Sequence, residues 1–398
     1  MNGLDLLADE IDGFLYVAIV RNGTLVDLYV DRPDMTASWA SLYLGKVIKI
    51  DTKLDAAFVD IGQGLIGYLP AKHVRHPGAD VSETRTGITE LLKGGQMVLV
   101  QIKSEGKRQT ENENHKLPRL TMKLYVPGLF VAYSPYSSQV TISRKIKNEG
   151  VLTLTAKLKG KGGWLVQHSA EDAAEADIAY ESKSLQEKWQ QYLSAEELAQ
   201  GQPALLISGP DAIFRALVDY GALNFEHIYV GNKRLLELVI GWCKEHLPAL
   251  ATSKRLRLFR PEQNSQRLFE TYDLYSEIES LPERRVYLQG GGTIIIEHTS
   301  AVTVIDVNQG SAGSISEVNQ SAVKEIARQI RLRALSGAIL IDFINMEQKN
   351  ERVRLLEAME SILADDAGNA QVHGFTRLGI MEITRKRRSA MLMEKLIK

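Results

Sequence analysis

The stretch from Ala301 to Met346 constrains the fold more than any other. It holds two short apolar runs rich in β-branched residues, Ala301-Val302-Thr303-Val304-Ile305-Asp306-Val307-Asn308 and Gly337-Ala338-Ile339-Leu340-Ile341-Asp342-Phe343-Ile344. Runs of this kind suit strands covered on both faces. Between them, Glu317 to Leu335 places Val318, Ala322, Ile326 and Ile330 at helical spacing, with Ser316 as the expected N-cap and Ser336-Gly337 as the stop. A strand–helix–strand unit usually returns as a parallel strand. If the two strands are neighbours, Asp306 and Asp342 lie about 4.8 Å apart at one end of the sheet. Asn308, two residues on, shares the face of Asp306. Two carboxylates and an amide oxygen suit Mg²⁺, which keeps several waters and often meets phosphate. Strand-end Asp residues also serve as caps of loops and helices; the matching contexts of this pair favour the metal.

Four blocks extend the pattern: Val304 to Asn308, Glu325-Ile326-Ala327-Arg328-Gln329-Ile330-Arg331-Leu332-Arg333, Ile341-Asp342-Phe343-Ile344-Asn345-Met346, and Arg377 to Arg387. In this order they resemble the catalytic core of the ribonuclease E/G family, and the similarity runs across nearly the whole chain. The resemblance implies an α+β multidomain architecture. A ribonuclease-H-like structural subdomain (1–38 and 211–280) is interrupted by an S1 (OB-type) RNA-binding barrel (39–124) and a 5′-sensor-like module (125–210). A DNase-I-like α/β catalytic domain (281–398) follows. The implied activity is a Mg²⁺-dependent endoribonuclease, with Mn²⁺ as the alternative ion. It would cut single-stranded RNA to 5′-phosphate and 3′-hydroxyl products in RNA processing or decay. Asp306 and Asp342 fall at the metal-binding positions, and Asn308 completes the catalytic set.

Composition narrows the partners. The net charge of −1 gives no global basic signature, so a polyanion must be met by a local patch. No apolar run approaches the roughly 18 residues of a membrane span, and no signal peptide is evident at the N-terminus. Cys243 is the one cysteine, which excludes an internal disulfide and a multi-cysteine zinc site within one chain. Its place in a helix-like run, Leu235 to Cys243, reads as a buried structural thiol in a reducing, cytoplasmic setting. Longer family members continue into a paired-cysteine zinc link and a small domain. Their absence here leads to the expectation of no zinc and of a monomer or a homodimer joined through other surfaces.

Gly-punctuated short strands at 43–50, 56–62, 65–70, 97–103 and 117–124 read as an OB-like barrel. By pattern alone Phe58 and Tyr68 suit a core as well as a surface; the resemblance implies that they contact RNA, with Lys116 as a nearby cation. In the following module a long helix is expected from about Ala170 to Leu193, with Trp189 and Tyr192 on its apolar side. There Gly128 and Arg144 match the family's pocket for a 5′-monophosphate, but Gln167-His168 replaces its central Arg-Thr pair. Arginine grips phosphate bidentately and stays charged, whereas glutamine does not. Weakened or lost 5′-end sensing follows, with His168 read as a structural histidine. Thr376 to Lys398 carries seven Lys or Arg against two Glu, an excess expected to wall an RNA channel through Arg377, Arg385 and Arg387. Arg328, Arg331 and Arg333 read either as phosphate contacts or as a solvated helix face. Two rival functions remain: an RNA-binding relative with weak or lost cleavage, and a DNA nuclease, against which the S1-like barrel argues.

Overall fold

The computed structural model describes residues 3–33, 37–75, 87–106, 117–143, 145–158, 162–199, 201–261, 267–310, 313–346 and 348–396. The chain forms two compact units, one of residues 1–9, 16–30 and 260–398, the other of residues 10–15 and 31–259.

The first unit is built on a six-stranded sheet in the order Arg285–Tyr287, Thr293–His298, Val302–Asn308, Gly337–Asp342, Met381–Arg385, Gln371–Phe375. The central pair, Val302–Asn308 and Gly337–Asp342, is parallel; the other pairings are antiparallel. Period-two alternation puts Ile294, Ile305, Val307, Ile339, Ile341 and Ile383 on one face. They form a common core with Val318, Ala322 and Ile326 of the Ile315–Leu332 helix and Leu355 and Met359 of the Lys349–Leu363 helix. The opposite face carries Val304, Asp306 and Leu340, half-buried, and Asp342, exposed. The two parallel strands are therefore fully buried on one face only, which corrects the reading of their apolar runs. The helix start also differs from expectation. Ser314, not Ser316, is the N-cap: its hydroxyl oxygen accepts from the Glu317 N–H at 3.3 Å, and the Glu317 carboxylate accepts from the Ser314 N–H at 2.9 Å. This reciprocal capping box satisfies two N–H groups that a helix end otherwise leaves unpaired.

The N-terminal segment gives three consecutive strands, Leu4–Ile11, Phe14–Arg21 and Thr24–Asp31. The second and third form the hairpin that the turn signal Arg21-Asn22-Gly23-Thr24 predicts. Asn22 and Gly23 both have positive φ (50° and 78°), as a two-residue type I′ turn requires. Asp12-Gly13 repeats the same geometry at 51° and 81°.

In the second unit, strands Leu42–Asp51, Ala56–Gly62, Leu65–Pro70, Arg119–Thr121 and Met97–Ser104 close into a five-stranded barrel, the last pairing back onto the first. Its core includes Val47, Val59, Ile61, Leu69, Val100, Ile102 and Leu120. A Cβ on Gly67 would come within 2.8 Å of three Leu120 carbons, so glycine lets these strands approach. A smaller three-stranded sheet, Val140–Ile142, Gly163–Val166 and Val131–Ser134, packs with the Glu175–Leu198 helix. That helix starts and ends about a turn later than expected, and its Trp189 and Tyr192 are buried. Asp211 caps the Ala212–Tyr220 helix, its Oδ1 accepting from the Phe214 N–H at 2.8 Å. Cys243 is fully buried, and burial pushes its thiol up to about 12, in keeping with a structural role. His76 to Thr89 and Ser104 to His115, which read as loops for want of a strong hydrophobic period, lie largely outside the described residues. Among the described residues no helix is long and apolar enough to cross a membrane.

Candidate active site

Asp306 and Asp342 are cross-strand partners in the parallel pair of the six-stranded sheet. Both lie on the face turned away from the helices, because Ile305, Val307 and Ile341 occupy the core face. Asn308 Nδ2 donates to Asp306 Oδ2 at 2.8 Å. The strand beyond places Ile295 opposite Asp306 and Thr293 opposite Asn308. The chain end beside Asn308 is closed by small residues. Gly292 has φ +91°, and a Cβ there would lie 2.8 Å from the Asn308 carbonyl oxygen. Gly290-Gly291-Gly292 joins the strand Arg285–Tyr287 to the strand Thr293–His298 and, lacking a Gly-Lys-Ser/Thr ending, is a strand connection rather than a phosphate loop.

The donor set fits a hard divalent cation. Two carboxylates at one register are about 4.8 Å apart by strand spacing, within the span of one ion. Among the described residues no third His, Cys, Asp or Glu gathers with them into a metal-holding group. An ion held by two carboxylates keeps most of its positions for water and phosphate, the habit of Mg²⁺.

The expected cationic wall is largely spent inside the fold. Arg385 forms a bidentate pair with the fully buried Asp366, at 2.9 and 3.0 Å, and donates to the Leu335 carbonyl at 3.0 Å. Burial alone would lower this guanidinium; Asp366 outweighs it and holds it charged. Arg387 pairs with Glu394 at 2.7 Å, and Lys395, itself buried, donates to the Val30 carbonyl. Arg377, at the turn between the last two strands, is exposed, as is Lys386. The helix arginines follow the same correction. Arg328 pairs with Glu325 and Glu277, and Arg331 donates to the Val26 carbonyl. Arg333 is buried against Gln329 and the Glu283 carbonyl, and burial lowers it to about 10. They are internal ties rather than phosphate contacts or a solvated face.

On the barrel, the strand register aligns Lys49, Phe58, Tyr68 and Arg119 in one row across four strands. Phe58 and Tyr68 are half-buried and meet edge to face, with centroids 6.0 Å apart. The Lys49 ammonium lies 5.5 Å from the Phe58 ring. Lys49 and Arg119 are absent from the sequence-based expectation; alternation and register single them out. Close by, His73 is buried with Nε2 3.0 Å from the Lys103 ammonium. Burial, then Lys103, Lys123, Lys72 and Arg119, push this imidazole down to about 4, so near neutral pH it is an uncharged acceptor for Lys103. Lys116 lies outside the described residues.

Beside the three-stranded sheet, Gln167 Nε2 donates to the Gly128 carbonyl at 2.6 Å. The amide N–H groups of Leu129, Phe130 and Val131 converge on the buried Glu181 carboxylate at 2.5, 2.7 and 3.0 Å. Buried His246 meets the same carboxylate through Nδ1 at 2.8 Å. His168, read as a structural histidine with a weak phosphate contact as the alternative, is exposed, and Arg144 lies outside the described residues.

The chain combines a closed five-stranded barrel, consistent with an S1/OB-type domain, with a mixed sheet that carries two Asp residues at one register. The family model for the ribonuclease E/G family matches residues 126–388. The chain belongs to the ribonuclease E/G family, a family of endoribonucleases. It is 29% identical over 402 residues to ribonuclease G of Escherichia coli (strain K12), covering 96% of this chain and 80% of that protein. Against ribonuclease E of Synechocystis sp. the identity is 34% over 373 residues, covering 89% of this chain and 53% of the relative.

Proposed function

We propose that the chain is a Mg²⁺-dependent endoribonuclease that cuts single-stranded RNA to 5′-phosphate and 3′-hydroxyl products, with weakened or lost sensing of a 5′-monophosphate. The observation that carries this reading is the register of Asp306 with Asp342 on adjacent parallel strands, with Asn308 hydrogen-bonded to Asp306. A bound Mg²⁺ supplies charge to the scissile phosphate and lowers the pKa of a water. Asp306 and Asp342 provide the hard oxygens that hold the ion. Asn308 fixes the Asp306 carboxylate through Nδ2, which leaves its amide oxygen as an acceptor for a water.

On the barrel, Phe58 and Tyr68 stack unpaired bases while Lys49 and Arg119 meet phosphates; a duplex hides the ring faces such a surface needs. Gln167 supports the reduced 5′-end sensing: its amide donor is engaged by the Gly128 carbonyl, and it brings no charge to a phosphate. The domain reading that accompanies this function is a ribonuclease-H-like subdomain, an S1-type barrel, a sensor-like module and a DNase-I-like catalytic domain. The setting that fits is a reducing cytoplasm, with RNA processing or decay as the process.

The test is cleavage of one short single-stranded RNA in Mg²⁺, carrying either a 5′-monophosphate or a 5′-hydroxyl. Equal cleavage of both is expected. Binding without cleavage of either would replace this reading with an RNA-binding protein, and a strong monophosphate preference would overturn the reading of Gln167.

A further inference from the structure

We propose that Tyr287 is a stacking platform for an RNA base beside the Asp306/Asp342 pair, and that Arg285 holds the adjoining phosphate. The proposal rests on the nuclease reading of that pair. It starts from register. Arg285 pairs with Ile295, Ile295 with Asp306, and Asp306 with Asp342. One row over, Tyr287 pairs with Thr293 and Thr293 with Asn308. Cross-strand partners share a sheet face. Arg285 and Tyr287 therefore stand on the face of Asp306, Asn308 and Asp342, opposite the helices. Val286, between them, packs against the core on the other face. Two strand steps separate Tyr287 from Asn308, about 10 Å at the backbone. That separation suits a base flanking the scissile phosphate rather than the reacting bond itself.

Exposure sets this ring apart. Three aromatic rings are well exposed among the described residues: Tyr136 at 45%, Tyr180 at 47% and Tyr287 at 74%. Tyr136 carries the Arg75 guanidinium 3.8 Å from its centroid, and the Tyr180 hydroxyl donates to the Lys244 carbonyl at 2.7 Å. The Tyr287 side chain makes no ring contact or hydrogen bond among the described residues. Arg285 is likewise exposed and unpaired among them, whereas its neighbour Arg284 pairs with Glu297 at 3.0 Å. An aromatic edge strand is also what β propensity alone would select. The position beside the two carboxylates, with an uncommitted guanidinium in their own row, is what propensity does not supply. Aromatic rings on an open sheet stack single-stranded bases with little regard for sequence.

The experiment compares wild type, Tyr287→Ala, Tyr287→Phe and Arg285→Gln on a fluorescent single-stranded RNA, measuring Kd by anisotropy and kcat/KM for cleavage in Mg²⁺. Tyr287→Ala is expected to weaken binding about 5- to 100-fold, the range of one lost base stack, and Tyr287→Phe to keep it. An abasic nucleotide at one position flanking the cut should weaken wild type and leave Tyr287→Ala unaffected. Arg285→Gln should reduce the slope of log K against log salt by about 0.7. Unchanged binding by Tyr287→Ala, or equal abasic losses in both proteins, overturns the platform even where cleavage is intact. Loss of binding in Tyr287→Ala without cleavage by wild type upholds the platform and removes the nuclease reading instead.

Discussion

Asp306→Asn separates the metal reading from a capping role, because the two readings give it opposite effects on stability. Asp306 and Asp342 sit at one register of a parallel pair. With their charges about 5 Å apart, Coulomb repulsion runs from about 1 kcal/mol in a water-like dielectric to about 3 kcal/mol in a protein-like one. Asp342 is exposed, which sets the value near the lower end. An asparagine keeps the size of Asp306 and still offers an oxygen to the Asn308 amide. In EDTA the variant should therefore gain about 1 kcal/mol, a rise in Tm of roughly 2–4 °C for a unit of this size. Mg²⁺ reverses the order. A site of about millimolar affinity at about 10 mM ion adds about 1.4 kcal/mol to wild type. The variant, with one carboxylate left, should gain little, and its RNA cleavage should be abolished with RNA binding nearly intact. Scanning calorimetry of both proteins, with EDTA and with Mg²⁺, makes the comparison. A variant that melts below wild type in EDTA, or that gains as much from Mg²⁺, would refute the shared-ion argument.

Asp366→Ala leaves the buried Arg385 without its counter-charge and should cost about 3–5 kcal/mol, read from a lower urea midpoint. The imidazole of His73 is depressed to about 4 from an ordinary 6.5, so the unfolded chain binds its proton first. Its contribution is complete above pH 6.5 and is lost as pH falls towards 4. About 3 kcal/mol is the upper bound, and urea melts of His73→Gln should show a shallower acid dependence than wild type. Phe58→Ala and Tyr68→Ala should each weaken single-stranded RNA binding by about 1–3 kcal/mol without moving kcat at saturation, seen in titrations and in kinetics at saturating RNA.

The sequence was legible where a local rule acted alone. Asn22-Gly23 announced its hairpin, and the apolar spacing of Val318, Ala322 and Ile326 announced a helix. Ser314-Ile315-Ser316-Glu317 holds a readable capping box, with Glu317 three residues after Ser314, which places the cap at Ser314 rather than Ser316. The two Asp residues were legible as matched strand ends, but only register makes Asp306 and Asp342 partners. Basic residues were read least well. Clustering in the chain says nothing about which carboxylate folds back onto each cation. Asp366 takes Arg385, Glu394 takes Arg387, and Glu277 with Glu325 takes Arg328, so a run that read as surface became interior. Lys49 and Arg119 were missed for the converse reason: neither stands in a basic run, and their common row exists only once the barrel closes.

That row has a further consequence. Across the barrel it reads cation, ring, ring, cation, and it reads the same from either end. A strand of RNA laid over it meets equivalent chemistry in both orientations. On the proposed reading, the order of this row by itself would not select the 5′-to-3′ direction of a bound strand. Yet leaving the phosphate on one particular side of the cut demands a fixed polarity. On the proposed nuclease reading, direction would be set at the sheet end, where Asn308 is hydrogen-bonded to Asp306.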